Sequence, residues 1–146
     1  MSEFTDEYTR ASKTFRAVTE LALRRHGLHL GQNLVLAALA DRDGQTPGEV
    51  AAAVHVSTPT IVKMANRMAE AGLLTRRRDD FDKRLVRLHL TPAGRRLRRP
   101  VDAELELVDQ RLTEGLTKTE RRTLLTLLAK VSDNGQALLT EWDKRA

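Results

Sequence analysis

The sequence of 146 residues predicts a mainly α-helical protein with one small β-hairpin. Apolar residues recur every three or four positions over most of the chain, a spacing that is typical of amphipathic helices. Only residues 73–91 alternate instead, on both sides of the turn-rich segment "DDFDK", which is typical of a two-stranded antiparallel hairpin. The length fits one domain spanning residues 1–146, because a chain of this size can bury a core of its own.

The first two predicted helices cover residues 3–26 and about 30–41. Gly27 ends the first of them, and the turn residues "DRDG" follow the second. One face of the first helix carries a stripe of apolar residues, namely Phe4, Tyr8, Ala11, Phe15, Val18 and Ala22.

A short third helix begins after Thr46 and ends near Val54. Thr46 is the predicted N-cap, Pro47 suits the first helical position, and Glu49 completes a capping box three residues after the cap. The turn "HVS" leads to a fourth helix.

The fourth helix is capped by Ser57 or Thr58 and runs to about Ala71, with Gly72 as its stop. Its apolar residues share one face, namely Ile61, Met64, Ala65 and Met68. The opposite face is polar and basic and carries Thr58, Thr60, Lys63 and Arg67.

After the hairpin, Thr91 and Pro92 begin a fifth helix, which Pro100 should kink or break. Thr117 and Glu120 form a capping box that begins the last helix. Both helices have one apolar face, carried by Leu97, Val101, Leu105, Val108, Leu112 and Leu116 and by Leu124, Leu127, Leu128, Val131 and Leu138.

The positive charge of the chain is local. Residues 76–99 hold ten Lys and Arg against three acidic residues, whereas the rest of the chain holds 15 basic and 17 acidic residues, within a total net charge of +5. This distribution indicates a face that binds a polyanion. The alternative is an arginine-rich face that is only solvated.

Several classes of site are disfavoured by the composition. The absence of cysteine excludes disulfides, thiol chemistry and Cys-based zinc sites. The four histidines lie on different elements, and no catalytic triad, phosphate loop or carboxylate pair is present, so we predict no metal, no cofactor and no enzyme. The polar N-terminus and the short apolar run at 34–40 predict a soluble, cytoplasmic protein without a membrane partner.

The third and fourth helices, joined by a tight turn, match the helix-turn-helix plan, and the basic hairpin makes it a winged helix. Such a helix fits the major groove of B-DNA, and the hairpin can lay arginines along phosphates or in the minor groove. The alternative is a helical pair that is simply packed together.

The segment "TPGEVAAAVHVSTPTIVKMANRMAEAGLLTRRRDDFDKRLVRLHLTPAG" resembles the DNA-binding core of the MarR family of bacterial transcription regulators. Its most specific parts are the wing motif Asp82-Lys83-Arg84 and the motif Leu90-Thr91-x-x-Gly94. The resemblance implies a homodimer in which residues 1–29 and 96–146 form a helical dimerisation base and residues 30–95 form a winged helix-turn-helix lobe. The apolar stripes of both chain ends could alternatively be intramolecular core.

The resemblance also implies how DNA is bound. The major groove would be contacted by Ser57, Thr58, Thr60, Lys63 and Arg67. Arg84 would enter the minor groove, held by Asp82. Phosphates would be contacted mostly by Arg76, Arg77, Arg78 and Lys83.

The sequence departs from the family pattern at three positions. His55 stands where a glycine is common, so the turn must adopt a conformation that histidine tolerates. Asn66 replaces a frequent aspartate, which weakens an ion pair with a neighbouring arginine. Pro100 affects how the fifth helix leaves the winged helix.

Many relatives bind a small aromatic or phenolic effector between the dimer base and the DNA-binding lobe. The candidate lining residues in this chain are Phe15, Arg16, His26, His29, Met64 and Met68. The alternative is that these side chains belong to the core and the dimer interface.

The sequence thus predicts a sequence-specific, homodimeric transcriptional repressor that a small effector releases from a pseudo-palindromic operator. A non-specific or architectural duplex DNA-binding protein is the alternative. A metal- or substrate-binding protein with an incidental basic face is a third hypothesis.

Overall fold

A computed structural model describes residues 2–145 and confirms the mainly α fold with a two-stranded hairpin. The elements in chain order are α1 (Glu3–Arg24), α2 (Gln32–Asp41), α3 (Pro47–Val54), α4 (Thr58–Glu70), β1 (Leu74–Arg78), β2 (Val86–Leu90), α5 (Pro92–Leu112) and α6 (Lys118–Asp143). Residues 2–108 and 109–145 form two compact units. No helix within residues 2–145 is long and apolar enough to cross a membrane.

Glycines with positive φ set the boundaries around α1 and α2. The first helix ends at Arg24, two residues earlier than predicted, and Gly27 (φ 74°) lets the Leu28 amide donate to the Leu23 carbonyl at 3.1 Å. Gly31 has a φ of 95° and delays the start of α2 from the predicted residue 30 to Gln32. A side chain at Gly31 would also overlap the Met64 side chain.

The two predicted capping boxes have different outcomes. Thr117 and Glu120 exchange both bonds, at 2.9 and 3.1 Å, and the backbone N–H of Thr117 lowers the pKa of the Glu120 carboxyl. At α3, Thr46 Oγ1 accepts from the Glu49 amide at 3.2 Å, as predicted. The second half of that box is wrong, because the Glu49 carboxylate accepts from Arg42 Nη2 at 3.0 Å instead.

The core of the first unit lies between α2, α3, α4 and the hairpin. Three of the four residues on the predicted apolar face of α4 are fully buried there, and Met64 packs at its edge. The largest fully buried side chains are Leu23, Leu28, Leu36, Leu39, Ile61, Met68, Leu74 and Leu88.

A third segment of the chain pairs with the hairpin, and this pairing was not predicted from the sequence. β1 and β2 pair antiparallel with Leu74 opposite Leu90, and the segment predicted as a plain turn pairs with the other edge of β2. The Leu88 amide donates to the Gln45 carbonyl at 2.8 Å, and the Gly44 amide donates to the Leu88 carbonyl at 2.9 Å. The buried Gln45 side chain also donates to the Ala38 carbonyl at 2.9 Å and thereby caps α2.

Pro100 lies inside α5, which is continuous from Pro92 to Leu112. Of the two predicted effects, a kink or a break, the break is therefore wrong. A proline removes one backbone bond, here to the Arg96 carbonyl, and the bonds of the neighbouring residues suffice to continue the helix.

Thr91 and Gly94 join the hairpin, the end of α4 and the start of α5. Thr91 Oγ1 donates to the Gly72 carbonyl at 2.6 Å and accepts from the Gly94 amide at 3.1 Å, while the Thr91 amide donates to the Leu73 carbonyl at 3.0 Å. A Cβ at Gly94 would overlap the Leu73 carbonyl oxygen. The Thr-x-x-Gly spacing is thus a packing requirement.

Gly94→Ala is expected to lower the free energy of unfolding by about 1–3 kcal/mol, because the added methyl group meets backbone that cannot move aside. Gly48→Ala is the matched control, since a Cβ there has only Thr46 Oγ1 nearby, at 4.0 Å. Urea unfolding monitored by circular dichroism measures both variants. Equal stability of the two variants would contradict the close-approach argument.

Candidate nucleic-acid interface

The fourth helix begins at a well-formed cap. Ser57 is extended (φ −68°, ψ 149°), its Oγ accepts from the Thr60 amide at 3.4 Å, and it lies 2.8 Å from Thr60 Oγ1. Pro59 lies in the first turn, where its missing N–H is not needed. Beyond the cap, Thr58, Lys63 and Arg67 are exposed and Thr60 is half-buried, so α4 presents a polar, basic surface opposite the core.

His55 ends α3 in the left-handed conformation, with φ 57° and ψ 44°. This is the departure from glycine that the sequence raised, and the residue indeed adopts an uncommon backbone conformation. Its side chain is exposed, and the next amide, that of Val56, donates to the Ala51 carbonyl at 3.1 Å. The tight turn between α3 and α4 therefore forms without glycine.

Asn66 connects α4 to the hairpin. Arg76 Nη1 donates to Asn66 Oδ1, so the contact expected from an aspartate survives as a hydrogen bond between a cation and a neutral amide. Because Asn66 carries no charge, Arg76 keeps its full positive charge on the surface. This contact is therefore a hydrogen bond and not an ion pair, which leaves more positive charge beside α4.

Asp82 and Arg84 form a two-bond ion pair at the hairpin tip. Arg84 Nε and Nη2 donate to the two Asp82 carboxylate oxygens at 3.1 and 3.2 Å, and the Arg84 amide donates to Asp82 Oδ1 at 3.1 Å. The side-chain bond from Arg84 is the main reason that the pKa of Asp82 is lowered. The Arg84 side chain is still 91% exposed, so the pair fixes its direction without hiding it.

Asp79 organises the tip from below. Its carboxylate accepts from Arg87 Nε at 2.6 Å and from the backbone amides of Asp82 and Phe81 at 2.8 and 3.1 Å. The Arg87 bond is the largest cause of the lowered pKa of Asp79. Arg87 Nη1 also donates to the Gly44 carbonyl at 3.0 Å and lies 3.8 Å from Glu49.

The remaining predicted phosphate contacts are free of acidic partners. Arg78 Nη1 donates to the Lys83 carbonyl at 2.9 Å, which spans the tip. In the part of the chain that the structure describes, no ion pair involves Lys63, Arg67, Arg77 or Lys83. These cations are available to an external anion.

Sequence reasoning did not identify Asp43 as part of this site, and it did not predict the contacts that Arg87 makes within the fold. Asp43 accepts from the Leu90 amide at 2.9 Å and from Arg95 Nη2 at 2.9 Å. Arg87 bonds Gly44, 43 positions away in the sequence. No local spacing signals such contacts, since they depend on the segment at Gly44 pairing with β2.

The six candidate effector residues are not all brought together. Met68 and His29 line a cavity of about 310 Å³, and His26 lines a second cavity of about 380 Å³. Both cavities are bounded by Gly27, Ala71 and Leu73. Met64 packs beneath Gly31, while Phe15 and Arg16 are exposed on α1 and line neither cavity.

His29 belongs to a polar cluster beside the first cavity. Its Nδ1 lies 3.1 Å from Glu20 Oε1, and the Leu30 amide donates to Glu20 Oε2 at 2.6 Å. The Leu30 bond, followed by the His29 bond, lowers the pKa of Glu20. Within residues 2–145, no three His, Cys, Asp or Glu side chains approach closely enough to hold a metal ion.

Known proteins with this sequence pattern are regulators of transcription. The sequence model described as "MarR family" matches residues 26–85. The HTH-type transcriptional regulator TtmR of Methylorubrum extorquens is 32% identical over 123 residues, which cover 84% of this chain and 62% of TtmR. Over this region the chain resembles the MarR family of transcription regulators. These similarities indicate a DNA-binding transcriptional regulator and not an enzyme.

Solved structures agree with the MarR fold. BpsR of Bordetella bronchiseptica, whose structure addresses regulation of its DNA binding by 6-hydroxynicotinic acid, superimposes with a TM-score of 0.79 at 27% identity over 90% of this chain and 99% of that one. MepR of S. aureus, solved as a DNA complex, has a TM-score of 0.82 at 20% identity over 92% and 99%. At that lower identity, the likeness to MepR concerns the fold.

Asp79→Asn should loosen the wing of this protein and lower its stability at neutral pH, because the neutral amide loses the electrostatic attraction between the Asp79 carboxylate and Arg87. The pKa of Asp79 is lowered from 3.8 by folding, so its contribution is complete above that value and is lost as the pH falls through the lower folded pKa.

The gap in unfolding midpoint between the wild type and Asp79→Asn should therefore be constant near neutrality and close in strong acid. Asp80→Asn is the control, since Asp80 is exposed and its side chain makes no hydrogen bond or ion pair within residues 2–145. Chemical unfolding of both variants is measured from pH 7 downwards. Equal unfolding midpoints of Asp79→Asn and Asp80→Asn at every pH would contradict the stabilising role of Asp79.

Proposed function

We propose that this protein is a MarR-family homodimeric repressor that binds a pseudo-palindromic operator and is released by a small effector. The observation that carries the proposal is the pairing of two DNA-directed features in one winged helix. The capped helix α4 presents an exposed basic face, and the hairpin presents an arginine that is aimed by Asp82 and remains 91% exposed. The protein would act in the cytoplasm.

The face of α4 supports groove recognition. Ser57, Thr58 and Thr60 lie at its N-terminal end, where short hydroxyl side chains can reach base edges, and Lys63 and Arg67 follow on later turns. The side chains of Lys63 and Arg67 have no carboxylate partner in residues 2–145, so contacting DNA breaks no ion pair. We assign these five residues to the major groove.

The wing supports contacts to the backbone and the minor groove. Arg76, Arg77, Arg78 and Lys83 supply charge to phosphates, which gives affinity without reading sequence. Arg84 is assigned to the minor groove, where the negative potential attracts an inserted guanidinium. Asp82 would keep Arg84 in its extended direction until DNA oxygens replace the carboxylate.

The exposed apolar stripes support a dimer. Phe4, Tyr8 and Phe15 of α1 are 59%, 48% and 47% exposed, and no residue of α6 is buried. The leucines of the predicted stripe on α6 are likewise exposed, between 39% and 52% for Leu124, Leu127, Leu128 and Leu138. A two-fold partner would cover both stripes with the same surfaces from a second chain. We therefore assign residues 1–29 and 96–146 to dimerisation and residues 30–95 to DNA binding.

The two cavities around Gly27, Ala71 and Leu73 support an effector. Their volumes, about 310 and 380 Å³, suit a small aromatic or phenolic molecule. Arg67, His29, Met68 and Glu70 line the first of them, so an anionic ring would meet a cation, an imidazole and an apolar side chain beside one carboxylate. Because Arg67 is also assigned to DNA, a bound anion there competes with the operator. The effect of 6-hydroxynicotinic acid on BpsR is a precedent in one relative.

The second candidate function is a non-specific or architectural DNA-binding protein. The ten basic residues between positions 76 and 99 favour it, because charge alone gives sequence-independent affinity. The Asp82–Arg84 ion pair favours sequence-specific recognition instead, because it fixes the direction of an exposed arginine side chain. A competition assay with random duplex separates them, since a specificity ratio near one indicates the architectural function.

Arg84→Ala should weaken binding to an operator selected from random duplexes about 10- to 100-fold, because a groove-directed arginine contributes about 1–3 kcal/mol. Fluorescence anisotropy measures the affinity, and sedimentation equilibrium should give twice the chain mass of 16.4 kDa for the wild type and the variant alike. Arg145→Ala, on the exposed end of α6, is the control. Unchanged operator affinity in Arg84→Ala would refute the wing assignment, and a mass of one chain would refute the dimer.

Aromatic carboxylates, tested as a panel with 6-hydroxynicotinic acid and salicylate, should release the operator in the same assay. Ala71→Phe should abolish the release and keep operator binding, because Ala71 is exposed and borders both cavities, so a ring there would take up space that the effector needs. Ala40→Phe, at an exposed position of α2 that lines neither cavity and lies outside the residues assigned to dimerisation, should respond like the wild type. An unaltered response in Ala71→Phe would place the effector elsewhere.

A further inference from the structure

Phe81 is the most exposed large apolar side chain of residues 2–145. It is 98% exposed and lies at the tip of the hairpin, between Asp80 and Asp82. Most other exposed apolar side chains lie on α1, α5 and α6, where the proposed dimer would cover them. Phe81 belongs to none of these stripes, so dimerisation leaves its exposure unexplained.

The backbone holds Phe81 in a defined place. Its amide donates to Asp79 Oδ2 at 3.1 Å, and the next amide donates to the same oxygen at 2.8 Å. Arg87 fixes that carboxylate from below at 2.6 Å, and Arg78 closes the tip through the Lys83 carbonyl at 2.9 Å. The ring therefore stands on an ordered support, so binding through it loses little conformational entropy.

The surroundings of Phe81 suit a polyanion. Arg77, Arg78, Lys83 and Arg84 lie within four positions, whereas two of the nearby carboxylates, Asp79 and Asp82, are already neutralised by arginines. A polyanion with apolar recesses between its charges matches an apolar ring among cations. The minor groove has this character, because sugar C–H groups and base edges lie between two rows of phosphates.

The small area of one ring argues against a protein partner or a membrane as the binding partner of Phe81. A stable protein interface buries on the order of 1,200–2,000 Å², and stable membrane anchoring needs more than one apolar insertion signal. A groove contact needs only one side chain, because Arg84, three residues further along the loop, already anchors the wing. DNA is thus the occupant that a single ring serves best.

We propose that Phe81 is a second DNA contact of the wing, an apolar wedge in the minor groove beside Arg84. This inference rests on the proposed operator binding and adds a specificity element to it. A wedge partly unstacks the step that it enters, so the wing should prefer flexible TA or CA/TG steps over stiff A-tracts.

Phe81→Ala should lower operator affinity about tenfold and leave the dependence of affinity on salt unchanged, since no phosphate contact is lost. Arg84→Ala should lower the affinity and also make the salt slope shallower by about one contact. Phe81→Leu should restore most of the affinity because it keeps an apolar wedge. The thermal midpoint of all Phe81 variants should equal that of the wild type, as expected for a side chain that contacts nothing.

Unstacking gives a second readout. With 2-aminopurine placed in turn at the steps flanking the operator, the wild type should raise the fluorescence at one step in each half-site, and Phe81→Ala should not. Replacing that step by an A-tract should reduce wild-type affinity more than the affinity of Phe81→Ala.

The outcomes separate this inference from the proposed function. Wild-type affinity in Phe81→Ala, together with a loss in Arg84→Ala, overturns the wedge and keeps operator binding. Wild-type affinity in both variants overturns the assignment of the wing as a whole. Binding to phosphatidylglycerol vesicles that is lost in Phe81→Ala, with unchanged operator affinity, overturns the wedge in favour of a lipid surface.

Discussion

The guanidinium of Arg87 joins three parts of the winged helix that are far apart in the sequence. It bonds Asp79 at the hairpin tip and the Gly44 carbonyl before α3, and it lies 3.8 Å from Glu49 within α3. The side chains of Arg87 and Asp79 are only 33% and 14% exposed, so solvent screens this pair less than the pairs on the helices. Arg87 therefore helps to hold the hairpin against α3, and through Asp79 it supports the backbone of Phe81 and Asp82 at the tip.

The basic residues of the hairpin differ in whether their charge is balanced by a partner within the fold. Arg87 stabilises the fold, because its charge is balanced by the Asp79 carboxylate. Arg77 and Lys83 have no acidic partner in the described residues, and Arg76 is held by a neutral amide. Arg84 is intermediate, because an exposed ion pair adds little stability but fixes the direction of its side chain. The aspartates of the loop thus leave the net charge of the wing positive while giving it a definite shape.

Local patterns predicted the elements, and long-range contacts account for most errors. Thr46, Ser57 and Thr117 are caps as expected, because N-capping depends on residues within three positions. Glu49 was assigned to a capping box, yet Arg42 and Arg87 compete for its carboxylate, and only the folded chain brings Arg87 near. The strand-like pairing of Gln45 was hidden for the same reason, since its partner Leu88 is 43 positions away.

The candidate site follows the same rule. The contact of Asp82 with Arg84 spans two positions and was implied by the family resemblance, whereas the cavities beside His26 and His29 depend on how α1 ends against α4 and α5. Phe15 and Arg16 fall outside these cavities because α1 presents them to the exterior. Periodicity alone could not reveal that direction, since a stripe facing a partner has the same spacing as a stripe facing the core.

The absence of buried residues in α6 connects the proposed dimer with folding. Residues 2–108 contain a core of fully buried leucine, isoleucine, valine and methionine side chains, but no residue of α6 is buried within the chain. An isolated helix owes little stability to its own hydrogen bonds, so its apolar stripe must be covered for it to persist. If a second copy covers it, folding of α6 and association are one equilibrium, and the apparent stability depends on protein concentration. Residues 2–108, which contain the buried core, would then stay folded when the two chains separate.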